Sequence, residues 1–292
     1  MRPPPHILVV NGIKVRRPVF LLGAPHSGAD LLARALKRSP GFHLTMGRQS
    51  VAHVVHAFAR RPSIARSSGA VRVMRDSLAE SWQVLPGSCG HCPLPCRQAG
   101  GVTGSGPCVS TAAVTRFGDA SPDLLYSAEV LLQAFPDARF VQLIRDGRDV
   151  TADMVNDPDC LSWFKPSMLS DDTEFPNAFL GVNRDEHRDR WKSMPTAGKC
   201  ALRWRSAVRL SATLRRDLPA DQLLTLRYED LALSPVEALA SLSSFLETRV
   251  SRVFMYGTRV PEVGSWRTRL RSADRELVEK VAREELTRLG YQ

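Results

Sequence analysis

Residues 20–32 read FLLGAPHSGADLL. An apolar run stops at Gly23, a turn-rich passage follows, and apolar periodicity resumes at Leu31. A short apolar run bounded by turn formers reads as a buried strand, so the order here is strand, loop, helix. Gly23 and Gly28 supply the outer frame of a phosphate-binding loop, G-x-x-x-x-G. The Lys-Ser/Thr that completes a Walker A motif is replaced by Ala29-Asp30, so the motif itself is absent. After a parallel strand, the next helix still points free N–H groups and the positive end of its dipole at the loop. Two readings stand at this point: an anion site that works through backbone, or a sharp strand-to-helix turn in which Asp30 stabilises the helix start.

Two further units repeat the pattern. In ARFVQLIRDGRDVTADM, residues 139–144 form a strand, 145–148 a polar turn and 150–154 a helix. In QLLTLRYEDLALSPVEALASLSSFL, residues 223–227 form a strand and 236–246 a helix. Strands alternating with helices predict a parallel sheet covered by helices. Further helices are expected over 123–134, 200–214 and 274–289, the last with Ser272 as N-cap and Gly290 as its stop. Arg145, Asp146, Arg148 and Asp149 follow the second strand, at the sheet edge where ligands bind in open α/β folds. A glycine loop and an arginine cluster at neighbouring strand ends suit a ligand with two separated phosphates. A solvated turn of cancelling Arg–Asp pairs is the plainer reading.

The 292 residues carry a net charge of +10. Only six of the 40 basic residues are lysine, and both facts favour an oxyanionic partner. No stretch approaches the ~20 apolar residues needed to span a bilayer, and the N-terminus lacks the cleavage pattern of a signal peptide. A soluble, cytoplasmic protein is expected. Two segments interrupt the α/β rhythm. Residues 86–108, PGSCGHCPLPCRQAGGVTGSGPC, form a Gly-, Pro- and Cys-rich insertion. Residues 156–183 place Trp163, Phe164, Phe175 and Phe179 among turn formers and are expected to wall an acceptor pocket, or to pack as a small core of their own. No linker divides the chain, so one domain is expected over 1–292.

LLGAPHSGADLLARAL, RFVQLIRDGRDV, RYEDL and GSWRTRL occur in this order and at a spacing that resembles the sulfotransferases using 3′-phosphoadenosine 5′-phosphosulfate (PAPS), in particular the bacterial and tyrosylprotein-type branch. The similarity runs from about Pro18 to the C-terminus. It implies a P-loop-like α/β fold and transfer of a sulfuryl group from PAPS to a hydroxyl of a small molecule, lipid or sugar, leaving 3′-phosphoadenosine 5′-phosphate (PAP). It also implies a donor site. Pro25, His26, Ser27, Gly28, Ala29, Asp30 and Leu31 would wrap the 5′-phosphosulfate, and Arg145 would grip the 3′-phosphate. Tyr228 would lie near the adenine, and Trp266 with Arg267 or Arg269 would close over the nucleotide.

The departures from that pattern matter equally. His26 stands where relatives carry Lys or Arg, and a protonated histidine can likewise relieve charge on a leaving phosphate. Ala29-Asp30 replaces two hydroxyl residues. Asp153 replaces a serine eight residues after Arg145, and Ala120 replaces a lysine. Like charges ~4 Å apart repel by about 4 kcal/mol at an effective dielectric of ~20. Asp30 and Asp153 must therefore turn to arginines, be protonated, or mark an altered donor site. The resemblance places an acceptor base near residues 39–58, where His43, His53 and His56 are available and His53 is the choice.

Cys89, Cys92, Cys96 and Cys108, with His91 as a substitute, have spacing compatible with a structural zinc site. Cys160 and Cys200 look unrelated. The competing reading is a sulfotransferase-fold nucleotide binder whose donor loop has decayed. A zinc-dependent nucleic-acid binder lacks the basic-aromatic interleaving such a module needs, and a kinase lacks its loop lysine.

Overall fold

The computed structural model describes residues 7–291 apart from 103, 105, 166–168, 170–172 and 251–261. Its frame is a five-stranded parallel sheet. The strands are β1 (Val19–Gly23), β2 (Phe42–Thr45), β3 (Arg116–Asp119), β4 (Arg139–Ile144) and β5 (Leu223–Arg227). Their spatial order is β2-β3-β1-β4-β5, all neighbours parallel. The continuous apolar runs follow from burial on both faces. Phe20 and Leu22 of β1 and Phe140 and Ile144 of β4 face one cluster, whereas Val19, Leu21, Val141 and Leu143 face the other. Side chains alternate across a strand, so each run feeds both layers.

Helices cover the two faces. On one lie α1 (Ala29–Lys37), with Leu31, Leu32 and Leu36 buried, and α6 (Pro235–Leu246), with Leu239, Leu242 and Leu246. On the other lie α2 (Gln49–Arg60), α3 (Ala70–Ser81) and α5 (Thr196–Asp217), with α4 (Gly147–Met154) and α7 (Ser272–Arg288) beyond the β4 end. Phe20, Trp82, Phe117, Phe135 and Phe140 stack at the centre of that face. The Trp82 indole donates to the Gly118 carbonyl at 2.8 Å. Among the described residues no helix is long and apolar enough to cross a membrane.

Several sequence expectations need adjustment. The helix foreseen over 123–134 splits into a 3₁₀ turn (Leu124–Ser127) and a helix (Ala128–Ala134). Asp123 precedes it at φ 65°, its carboxylate held by Arg203 at 2.5 Å. Ser272 is the first residue of α7 rather than its cap; extended Arg271 takes that place, while Gly290 stops the helix at φ 75°. The turn after β4 is shorter than foreseen, because Asp146 caps α4 by accepting from the Arg148 N–H. That tight entry needs Gly147, where a Cβ would lie 2.5 Å from the Trp204 ring. Strands β2 and β3 were not foreseen, since four-residue strands carry too little periodicity to stand out.

Residues 86–108 are less open than their composition predicts. They form a 3₁₀ turn (Ser88–His91) and a short helix (Leu94–Ala99). Cys92, Cys96 and Ala99 join the core shared by α1 and edge strand β2. The insertion therefore covers a sheet edge that would otherwise be exposed.

Candidate active site

The loop between β1 and α1 opens at the C-terminal edge of the sheet. His26 is at φ 59° and Gly28 at φ 96°, so the chain reverses and the first turn of α1 faces the strand ends. Gly28 is required twice: its backbone is left-handed, and a Cβ would sit 2.6 Å from Tyr228 Cδ2. The N–H groups of the first turn have no carbonyl one turn back to bond. Ser27 and Leu31 are buried, Pro25 and Ala29 half-buried, and Asp30 is exposed. Asp30 makes no ion pair among the described residues, so its charge is left to solvent.

Arg145, immediately after β4, is 1% exposed. Its Nη1 donates to the His26 carbonyl at 2.8 Å and to Asp153 at 2.7 Å. Nε and Nη2 are buried and have no partner among the described residues. Buried guanidinium nitrogens are rarely left so, and here they point to an oxyanion as the missing acceptor. The guanidinium also lies 4.4 Å from the centre of the Tyr228 ring. Tyr228 is itself buried, and that burial pushes its phenol up to about 12. It packs beneath Gly28 and Arg145 as their floor.

Asp153, one of the two unexplained carboxylates, lies between arginines: one oxygen on Arg145, the other on Arg269. Arg269 also donates to the Ala152 carbonyl at 3.1 Å. One turn earlier, buried Asp149 accepts from the Gly264 and Trp266 N–H groups at 2.7 and 2.9 Å and from the Ser265 hydroxyl at 3.2 Å. Asp149 and Asp153 thus clamp the Trp266–Arg269 turn onto α4. The Arg148 and Arg267 guanidinium carbons lie 4.3 and 4.7 Å from the centre of the Trp266 ring. Trp266 is 8% exposed, a buried anchor for the exposed Arg267. The Arg–Asp turn is no solvated surface: Arg148 pairs with Asp146 at 2.8 Å, and both are buried.

His26 has a partner that sequence reasoning missed. Its Nε2 lies 2.8 Å from Asp157 Oδ2. Asp157 caps the short helix Pro158–Ser162 and accepts from the Asp159 N–H at 2.9 Å. Burial raises its carboxyl, but hydrogen bonds from Cys160, Asp159 and His26 outweigh that and hold it below the usual range. Cys160 Sγ lies 3.9 Å from His26 Nε2, so this cysteine is not unrelated to the site. Donor atoms of His26, Asp157 and Cys160 lie within 4.8 Å of one another, and each is already satisfied by the others.

A sulfotransferase-family model matches residues 18–252. The chain belongs to the sulfotransferase family. The fold is that of the sulfotransferase domain from the Synechococcus PCC 7002 olefin synthase, at 15% identity and TM-score 0.52 over 97% of this chain and 98% of that one. A sulfotransferase from Alicyclobacillus acidocaldarius aligns at 16% identity and TM-score 0.47, covering 94% and 95% of the two chains. Mouse sulfotransferase SULT7A1, complexed with PAP, aligns at 12% and 0.47, covering 95% and 87%. No curated protein matches the sequence.

In this sulfotransferase-family chain the three candidate bases have different surroundings. His43 is buried; desolvation, with Lys37 and Arg48 nearby, lowers its imidazole to about 3. His53 is exposed. His56 meets the Trp163 ring edge-on at 3.9 Å, and its pKa is lowered, chiefly by burial. The structure thus sets His56 against Trp163 of the 156–183 segment. The described aromatic residues there largely pack on the protein. Trp163 meets Phe179 edge-to-face at 4.5 Å, Phe164 meets Trp191 at 6.0 Å, and Phe175 lies under Arg188 at 5.3 Å. Of these, Trp163 and Phe179 line a small cleft with Ala59, Arg60 and Asn177, whose cavity of about 10 Å³ has room for about one water.

The cysteine insertion does not assemble the foreseen zinc tetrahedron. Among the described residues, no three donor atoms from Cys89, Cys92, Cys96, Cys108 and His91 converge within 4.8 Å. All four cysteines are free: Cys92 and Cys96 share a hydrogen bond, as do Cys89 and Cys108. The Lys37 ammonium donates to Cys108 Sγ at 3.4 Å and to the Leu44 carbonyl at 2.7 Å. Burial disfavours its charge, yet the Cys96 and Cys108 sulfurs outweigh this and hold it protonated. A cation from the protein already stands among the sulfurs.

Proposed function

We propose that this chain transfers a sulfuryl group from PAPS to a hydroxyl of a small molecule, lipid or sugar. The observation that carries the reading is Arg145: fully buried, two nitrogens unpartnered, and bonded to the carbonyl of the glycine loop. A strand-end arginine and a helix N-terminus held this close suit one ligand with two anionic groups.

Sulfuryl transfer requires an in-line nucleophile, charge relief on the leaving oxygen and exclusion of water. Backbone N–H groups from Gly28 to Leu31, with Ser27, would hold the 5′-phosphosulfate, and Arg145 the 3′-phosphate. His26, anchored on Asp157, would donate to the leaving phosphate. His56, against Trp163, would take the acceptor proton, with His53 the alternative on the same helix. Trp266, Arg267 and Arg269 would close the nucleotide side. In this reading the missing Lys and Thr side chains cost affinity rather than chemistry, because the backbone donors survive any side-chain change.

Two measurements test it: thermal stabilisation by PAP, and transfer of labelled sulfate from PAPS to a panel of hydroxyl acceptors. PAP should raise the melting temperature, and His26→Ala should abolish transfer while binding persists. A chain that no adenosine nucleotide stabilises would exclude this function. The second reading, a nucleotide binder without catalysis, is motivated by one feature, the carboxylate of Asp30 in the first turn of α1, which makes no ion pair among the described residues. Binding without transfer to any acceptor would support it.

A further inference from the structure

Arg145 and Arg269 approach from different elements, the end of β4 and the turn after Trp266, and one carboxylate joins them. That carboxylate is not free to leave easily. Asp153 is 13% exposed, it sits on the rigid helix α4, and Arg269 is held a second time by the Ala152 carbonyl. The three side chains together carry one net positive charge where two arginines alone would carry two. Arg145 has given Nη1 to this arrangement and keeps only Nε and Nη2 for an incoming anion.

We propose that Asp153 is a resident anion that sets donor specificity: it fills the arginine pair from inside, so a 3′-phosphate adds little to the binding of an adenosine 5′-phosphate. The inference rests on the donor reading above, which places the 3′-phosphate at Arg145. A phosphate dianion arriving there meets Arg145's two remaining donors but also a fixed carboxylate a few ångströms away. The carboxylate thus offsets one of the two guanidinium charges that would otherwise act on the phosphate. A neutral hydroxyl or amide at position 153 would leave both arginines to the phosphate and remove the repulsion. Specificity is a difference of affinities, and a like charge beside one substituent is an economical way to erase it. The 5′-phosphate is unaffected, since its donors are the backbone N–H groups of α1.

Calorimetric titration of the full chain with PAP and with adenosine 5′-monophosphate tests this, using wild type, Asp153→Asn and Asp153→Ser. Wild type should bind the two nucleotides within roughly tenfold of each other, and both variants should tighten PAP by about tenfold or more while leaving the monophosphate within twofold. Asn keeps an acceptor for Arg145, and Ser guards against a fold defect peculiar to Asn. Wild type preferring PAP by a hundredfold needs no variant to overturn the proposal. Variants that weaken both nucleotides alike would also overturn it, by showing that Asp153 only docks the Trp266–Arg269 turn. If wild type itself binds neither nucleotide, the donor reading fails and takes this inference with it, an outcome distinct from binding with an unmoved ratio.

Discussion

His26 is held from two directions, its carbonyl by Arg145 and its ring by Asp157. A side chain fixed in this way needs little reorganisation when a leaving phosphate develops charge beside it. Removing the ring should therefore harm the chemical step more than binding. We expect His26→Ala to lower kcat about 100-fold or more, within the range of lost acid catalysis, with PAP affinity changed only a few-fold. Asp157→Asn should give an intermediate loss, roughly tenfold, because the ring remains but its anchor is neutral. Steady-state kinetics beside PAP titration separate the two effects; equal losses in kcat and affinity would refute this assignment. His26 was legible at once, since it interrupts a glycine frame directly after an apolar run. Asp157 was not: it lies 131 residues away, in a stretch whose sequence shows only a cap before Pro158.

At the scale of elements, the edge formed by β2 and β3 ends in a buried carboxyl. Asp119 is fully buried, accepts from Thr45 Oγ1 at 2.5 Å and from the Ser121 N–H at 2.7 Å, and burial raises its pKa to about 6. The folded value lies above the unfolded one, so the fold prefers the protonated acid. This contribution is complete below about pH 4 and is lost as pH rises through 6. Raising the pKa from 3.8 to about 6 corresponds to roughly 3 kcal/mol. Denaturant unfolding at pH 5 and pH 7.5 should show the loss in wild type and less of it in Asp119→Asn; identical slopes would exclude Asp119 as the cause. The neighbouring insertion yields a second expectation. With the Lys37 ammonium among the sulfurs, a chelator should leave the wild-type melting temperature unchanged. In Lys37→Ala, added zinc should bind and raise it. A wild-type fall of more than about 5 °C on chelation, a kcal/mol-scale effect, would restore the zinc reading of Cys89, Cys92, Cys96 and Cys108. Cysteine spacing alone could not separate these cases, because Lys37 lies on α1, far from the motif in sequence.

For the whole molecule, the proposed donor edge is assembled from three parts of the chain: the β1–α1 loop, the start of α4 and the Trp266–Arg269 turn. Asp149 couples the last two through backbone N–H groups. Charge-assisted hydrogen bonds of this kind contribute about 1.5–3 kcal/mol each, so Asp149→Ala should free the turn. Amide exchange over 264–270 should quicken at least roughly tenfold while β1 and β4 stay protected. Uniform loss of protection would instead mean that Asp149 supports the entire fold.

Apolar runs followed by Gly23, Arg145 and Tyr228 sufficed to establish a parallel α/β sheet and to bring three strand ends to one edge, because burial on both faces and the strand–loop–helix order are local properties of the chain. Which charges meet at that edge was decided only by folding. Asp153 between two arginines, Asp157 on His26 and Lys37 among the thiols each join groups that no periodicity links, and an ion pair depends on where side chains arrive in three dimensions rather than on how they are spaced along the backbone.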